Sequence, residues 1–202
     1  MLGRSPCLGW LGLQFEPAPF PPYAASSQQR GATEPPAGLP QPVSRYVTAA
    51  VGDHLPIIES AVLTGRGHLR LFGVSFPARM RFIHTAGQAY RHYIECTWFG
   101  LPIMKVNETY LDGQLRQELP VGVVANEPKA DMAANLALWG EQAIWMPSVL
   151  ATDRRLRWQV IDGVRTAHGP VRRDGRQLHR SVRPTGGISS VNGGPPIPRT
   201  EG

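Results

Sequence analysis

The chain has 202 residues, 42% of them apolar, enough to bury one core of ordinary size but tight for two full domains. Its net charge of +6 is unevenly placed: residues 1–163 hold fourteen Lys and Arg against thirteen Asp and Glu, whereas residues 164–202 hold seven Arg against Asp174 and Glu201. The basic balance therefore belongs to a tail with no aromatic residue to stack a base, which argues against nucleic-acid binding by the folded part.

Residues 1–41 read as a proline-rich N-terminal arm. Its apolar run from Cys7 to Leu13 is short of the ~20 residues that a membrane-spanning helix needs, and no signal-cleavage pattern follows it. A soluble protein is the default expectation, with the run as the remnant of a longer membrane anchor as the alternative, and the location expected is cytoplasmic or membrane-peripheral. A short helix is predicted from Val43 to Val51, with Pro42 near its start and Gly52 near its end. Val43, Tyr46, Val47 and Ala50 would share the face that packs on a sheet.

From Ile57 to Leu119 the pattern changes to β-branched and aromatic runs punctuated by Gly and Pro, predicting strands near 57–72, 74–84, 88–99, 102–111 and 114–119. Leu69 and Leu71 alternate with His68 and Arg70. Phe76, Ala78, Met80 and Phe82 alternate with Pro77, Arg79, Arg81 and Ile83, so one face should be buried and the other wet. Gly73, Ala86-Gly87 and Asp112-Gly113 supply turns, the last pair suited to a tight hairpin because both residues tolerate positive φ. Residues 131–145 switch to helical spacing, with Met132, Leu136, Trp139 and Ala143 as the apolar stripe and Pro147 as the stop. Leu156 to Asp162 reads as one more strand with Leu156, Trp158 and Val160 on one face. Trp98, Trp139, Trp145 and Trp158 are expected in the core, where helix meets sheet. Cys7 and Cys96 sit in unrelated contexts, so no disulfide framework is expected and Cys96 reads as a small buried apolar residue.

The expected fold is α+β, mainly β: an antiparallel meander over residues 42–163 that curls as a half-barrel around one amphipathic helix. After Asp162 the composition becomes Arg without Lys, rich in Gly and Pro, with no apolar alternation that could pair with a preceding strand. Residues 164–202 are expected to form a disordered basic tail. The same composition is what a GC-rich gene yields out of frame, so a frameshift or truncation that removes the closing strands is the sharper expectation.

No glycine-rich phosphate loop, Ser elbow or Cys-x-x-Cys pair is present, and no catalytic residue is assigned. His92 and Glu95 have metal-ligand chemistry but, three apart on a strand, face opposite sides, and with no third ligand in view no metal is expected. Asp112 belongs to its turn, while Glu108 is expected to pair with a basic residue on a neighbouring strand. His84, Tyr90, His92 and Tyr93 give the sheet a semi-polar aromatic character. With Arg79 and Arg91, the residues Tyr90, His92 and Tyr93 are the candidates to line a concave surface holding an anionic amphiphile. Equally, the arginines can be the solvated face of their strands and the tyrosines ordinary interior residues.

Seven segments carry a family likeness: Leu39-Pro-x-Pro-Val-x-Arg-Tyr46, Phe76-Pro-Ala-Arg79, Tyr90-Arg-His-Tyr-Ile-Glu95, Phe99-Gly-Leu-Pro102, Tyr110-Leu-Asp-Gly113, Ala143-Ile-Trp-Met-Pro-Ser148 and Arg157-Trp158. Over residues 39–162 the chain resembles an uncharacterised bacterial family, domain of unknown function 6544. Its members continue past the Trp-bearing strand with Val-Pro-Phe-Gly-like and Phe-Asp-Pro-like segments, and codons chosen for Ala167 to Pro198 and read from the second base permit such a string. The resemblance implies an antiparallel sheet curling around a helix and brings no activity, cofactor or active site. The expected function is a non-enzymatic binding module for an apolar or lipid-like ligand, without a cofactor. The alternatives are an enzyme with a divergent site at Arg79, Arg91, His92, Glu95 and Glu108, and a truncated product without function.

Overall fold

In a computed structural model, which describes residues 6–23, 31–160, 166–170, 180–182 and 188–189, the chain is mainly β. It divides into two compact units, residues 1–32 with 56–149 and residues 33–55 with 150–202. In chain order the elements are α1 (Pro6–Gly12), β1 (Ala32–Thr33), α2 (Gln41–Val51), β2 (Leu55–Pro56), β3 (Ser60–Leu71), β4 (Val74–Thr85), β5 (Ala89–Trp98) and β6 (Leu101–Leu111). There follow β7 (Gln114–Leu119), β8 (Gly122–Ala125), α3 (Pro128–Trp145), α4 (Pro147–Thr152), β9 (Leu156–Val160), β10 (Thr166–Pro170), β11 (Arg180–Val182) and β12 (Ile188–Ser189).

The first unit is built on an open antiparallel sheet in the order β3-β4-β5-β6-β7-β8. Each predicted strand is present within a few residues of its expected ends, and β8 adds one that was not foreseen. Three hairpins turn on pairs with both φ positive: Phe72 (50°) with Gly73 (82°), Phe99 (51°) with Gly100 (73°), and Asp112 (51°) with Gly113 (83°). This is the primed turn geometry that matches strand twist. Aspartate and glycine suit it, whereas phenylalanine does not. Phe99 is held there by packing, its ring centroid 5.2 Å from Phe15 and 4.7 Å from Trp98. Phe72 has no such compensation and is 86% exposed.

Strand register sorts the side chains into two sets. Phe82 lies opposite His92, His84 opposite Tyr90, Tyr90 opposite Tyr110 and His92 opposite Glu108, which places all six on one face. Arg79, Arg81, Arg91, Tyr93, Glu95 and Asn107 occupy the other. The first face packs against α3, where Tyr90, Tyr110 and Leu115 form a core with Ala134 and Leu138. The buried stripe of α3 is Ala134, Leu138, Trp139, Gly140 and Gln142; of the expected Met132, Leu136, Trp139 and Ala143 it keeps Trp139, while Leu136 and Ala143 are partly buried and Met132 is exposed.

The arginine-bearing face is not simply wet, because the N-terminal arm lies across it. Arg79 Nη1 donates to the Ala18 carbonyl (3.2 Å), Arg81 Nη2 donates to the Pro21 carbonyl (2.8 Å), and Arg66 pairs with Glu16 (3.1 Å). The Phe20 ring sits 4.5 Å from the Arg79 guanidinium carbon and 4.8 Å from that of Arg81, a double cation–π contact. Trp98, expected in the core, is 41% exposed; its indole N–H donates to the Gly9 carbonyl, so it anchors the arm. Trp145 is likewise partly exposed, whereas Trp139 is buried as expected.

In the second unit, Val43 and Val47 of α2 bury with Leu55 and Ala151, and Leu39, Val51 and Trp158 pack against them. Gly52 closes α2 at φ 84°. Tyr46 and Ala50 are exposed, so the buried face of this helix is narrower than expected. The strands β9 to β12 form a four-stranded sheet. Thr166–Pro170 pairs antiparallel with β9, although no pairing was expected beyond Asp162. The remaining expectations for the tail fall on 161–165, 171–179, 183–187 and 190–202, outside the described residues. Among the described residues no helix is long and apolar enough to cross a membrane.

Phe72 is the clearest local conflict between residue type and backbone. Phe72→Asn is expected to raise the unfolding free energy by about 0.5–1 kcal/mol in urea titrations, since asparagine tolerates the left-handed region. An unchanged or lower midpoint would contradict the strain.

Candidate functional site

The sheet offers α3 several polar groups that need partners, and α3 supplies them. Gln142 Oε1 accepts from the Gly87 N–H (2.7 Å) while its Nε2 donates to the Thr85 carbonyl (3.0 Å), clasping the turn between β4 and β5. Asp131 Oδ1 accepts from the Leu115 N–H at 2.7 Å, and Asn135 Nδ2 donates to the Tyr110 hydroxyl at 2.6 Å. These polar residues explain why the apolar stripe does not mark the buried face: the helix turns its hydrogen-bonding side to the strand ends.

Glu141, beside the Gln142 clasp, reaches two histidines of the sheet. Its Oε2 lies 3.3 Å from His84 Nε2 and 2.9 Å from His92 Nε2. One ligand atom from each of the three residues falls within 4.8 Å of the other two. Burial pushes the His84 imidazole down to about 4, with Glu141 opposing and His92 assisting, so it is neutral at pH 7 with a lone pair available. The His92 ring is fixed between Phe82 and Tyr90, each at a centroid distance of 4.2 Å. Behind it, Glu108 accepts from the Tyr90 hydroxyl (2.7 Å) and from Gln117 Nε2 (2.6 Å), and its Oε1 is 3.8 Å from His92 Nδ1. Burial, then the bond to Glu108, pushes the Tyr90 phenol well up, keeping it a donor. Glu108 thus meets Tyr90, Gln117 and His92 instead of the expected basic residue.

On the opposite face Arg79 grips Glu95 through Nε (2.7 Å) and Nη2 (2.6 Å), and the Tyr93 hydroxyl donates to the same carboxylate at 2.7 Å. Burial pushes the Tyr93 phenol up to about 12, with the bond to Glu95 adding to the rise. Burial alone would raise the Glu95 carboxyl, but the bonds from Tyr93 and Arg79 and the nearby positive charges outweigh it and hold the group below its ordinary value. Arg91 Nε donates to Asn107 on the same side. Cys96 is buried, which pushes its thiol up and suits the inert reading.

The five candidate ligand residues therefore do not converge: Tyr90 and His92 face α3, while Arg79, Arg91 and Tyr93 face away. The divergent enzyme site fails for the same reason, with His92 and Glu108 on one side and Arg79, Arg91 and Glu95 on the other. His92 and Glu95 do lie on opposite faces, as their spacing requires. What the sequence reading missed is Glu141, which brings His84 and His92 into one cluster. The sequence carried no signal for it, because the expected stripe of Met132, Leu136, Trp139 and Ala143 does not include the turn of α3 on which Glu141 reaches the sheet.

The resemblance stated for the central segments is confirmed by a family model, described as Family of unknown function (DUF6544), which matches residues 29–183. The chain belongs to this family. The DUF6544 match extends beyond both ends of the segments first noticed and covers both units in part. No curated protein and no solved structure matches the chain.

The Arg79–Glu95 pair gives this member of DUF6544 a defined pH response. The folded pKa of Glu95 lies below its unfolded value, so the pair's contribution is full above the ordinary carboxylate range and is lost as pH falls through the folded pKa. Arg79→Met is expected to cost about 2–3 kcal/mol at pH 7, with the gap from the parent chain shrinking as the pH is lowered through that window. Chemical denaturation across pH checks this, and a gap that stays constant would contradict it.

Proposed function

We propose that this chain is a non-enzymatic binding module that shelters an apolar, lipid-like ligand on the part of the sheet face that α3 leaves open, the sheet curving around the ligand as a half-barrel. One observation carries the reading. At one end of the strands Tyr90, Tyr110 and Leu115 are sealed under the helix, but further along the same face Leu63, Met80, Phe82, Ile94 and Val106 stay partly exposed. Register makes them neighbours across four strands: Leu63 is opposite Phe82, Met80 opposite Ile94, and Ile94 opposite Val106. Gly65, opposite Met80, leaves the strip without a side chain at that point.

An alkyl chain laid on this strip gains about 0.8 kcal/mol per methylene withdrawn from water, so eight methylenes supply roughly 6 kcal/mol before ordering costs. The Glu108, Tyr90 and His92 groups beside Phe82 offer hydrogen-bonding atoms for a polar head. No set of catalytic groups converges on the strip, which favours binding over turnover.

Native mass spectrometry of the full chain after exposure to a lipid extract is expected to show one lipid-sized adduct. Gly65→Leu, whose new Cβ would meet Met80 only in ordinary contact, fills the strip while leaving the fold intact, and should weaken binding at least tenfold in fluorescent fatty-acid displacement. A folded chain that takes no adduct, or a Gly65→Leu variant that binds equally well, would refute the reading.

A further inference from the structure

We propose that His84, His92 and Glu141 bind a single zinc-class divalent cation through Nε2, Nε2 and Oε2. This site adjoins the polar end of the apolar strip, where Phe82 packs on His92, but zinc binding does not depend on a lipid occupying that strip. The donor chemistry is two imidazoles and one carboxylate, a set that suits zinc and leaves a fourth coordination position for water or another ligand.

The spacing fits. Donors each about 2.0–2.1 Å from a tetrahedral zinc stand roughly 3.3–3.4 Å from one another. Here the carboxylate oxygen is 3.3 Å and 2.9 Å from the two imidazole nitrogens, and all three atoms lie within 4.8 Å of each other. A second observation is one of alignment: His84 Nε2, His92 Nε2 and Glu141 Oε2 are all buried, and none makes a hydrogen bond despite separations of 3.3 and 2.9 Å. At such separations an imidazolium–carboxylate pair would align its N–H on the oxygen, whereas lone pairs aimed at a common point would not. Leaving three polar atoms so close and unsatisfied is costly unless something sits between them.

The surroundings hold the donors in place. His84 is fully buried, His92 is clamped between the Phe82 and Tyr90 rings, and the Gln142 clasp sets the position of Glu141 along α3. Glu108, held by Tyr90 and Gln117, stands 3.8 Å from the far nitrogen of His92, beyond hydrogen-bond distance but near enough to accept its N–H after a small shift, as the carboxylates that orient metal-bound histidines do.

The test uses the full chain, stripped with a chelator and then titrated with zinc alone and with cobalt(II) alone. One retained equivalent of zinc after gel filtration, a cobalt visible band of tetrahedral type and a zinc-dependent rise in Tm are expected. Glu141→Gln, at a half-buried helix position, should abolish the retained zinc and the cobalt band while leaving the far-ultraviolet circular dichroism unchanged. Glu108→Gln should weaken zinc about 10–100-fold without removing it. Should Glu141→Gln fail to fold, His92→Gln replaces it with the same expected losses. A folded parent chain that retains no zinc, or a ligand variant that binds zinc as tightly as the parent, overturns the proposal.

Discussion

The turn between β4 and β5 is held from outside the sheet, by both ends of one amide. Gln142 accepts from the Gly87 N–H and donates to the Thr85 carbonyl, and it is itself fully buried. Those two bonds fix α3 against the one hairpin of the meander's first four strands that does not turn on a two-residue primed pair. Replacing the amide with an apolar residue would orphan a buried N–H, a loss of about 1–3 kcal/mol. More depends on the clasp than that energy, because it joins the helix to the strand register. A strand slip of one residue carries every side chain to the other face. A slipped β5 would move His92 away from His84 and Glu141 and bring Tyr93 beneath the helix.

That parity divides the chemistry of the first unit. Toward α3 lie the histidines, Tyr90, Tyr110 and Glu108, in a seam where aromatic stacking and buried hydrogen bonds occur together. Away from α3 lie the arginines and Glu95, over which residues 9–23 are strapped. Neither face is a plain solvent face, and each is covered in part by a segment from outside the meander. The strap holds by a few directional contacts: two backbone carbonyls accept from Arg79 and Arg81, the Phe20 ring lies against both cations, and the Gly9 carbonyl accepts from Trp98.

The meander was legible because its signals are local. Alternation over ten or more residues and an Asp-Gly turn need no knowledge of the rest of the fold. β8 escaped because Gly122–Ala125 is too short to alternate. The buried face of α3 was misread for a physical reason: its partner is a set of strand ends with unpaired N–H and hydroxyl groups, so Asp131, Asn135, Glu141 and Gln142 turn inward and Met132 outward. Trp98 was misplaced because its indole caps the arm instead of filling a core. His92 was legible as a candidate on its own. Its true companions come from β4 and α3, and nothing in the spacing of His84, His92 and Glu141 along the chain announces that they meet. Docking of the proline-rich arm was equally silent, since Phe20 and Glu16 acquire partners only once Arg66, Arg79 and Arg81 stand side by side on one face.

Proton–proton nuclear Overhauser spectra of the aromatic and histidine rings report this division most directly. Contacts are expected from the His92 ring to both Phe82 and Tyr90 and between the His84 and His92 rings, with a separate set joining Tyr93 to Phe20, whose ring centroids are 5.8 Å apart. A His92 ring that instead sees Tyr93 or Phe20 would mean that the strand faces are assigned the wrong way round.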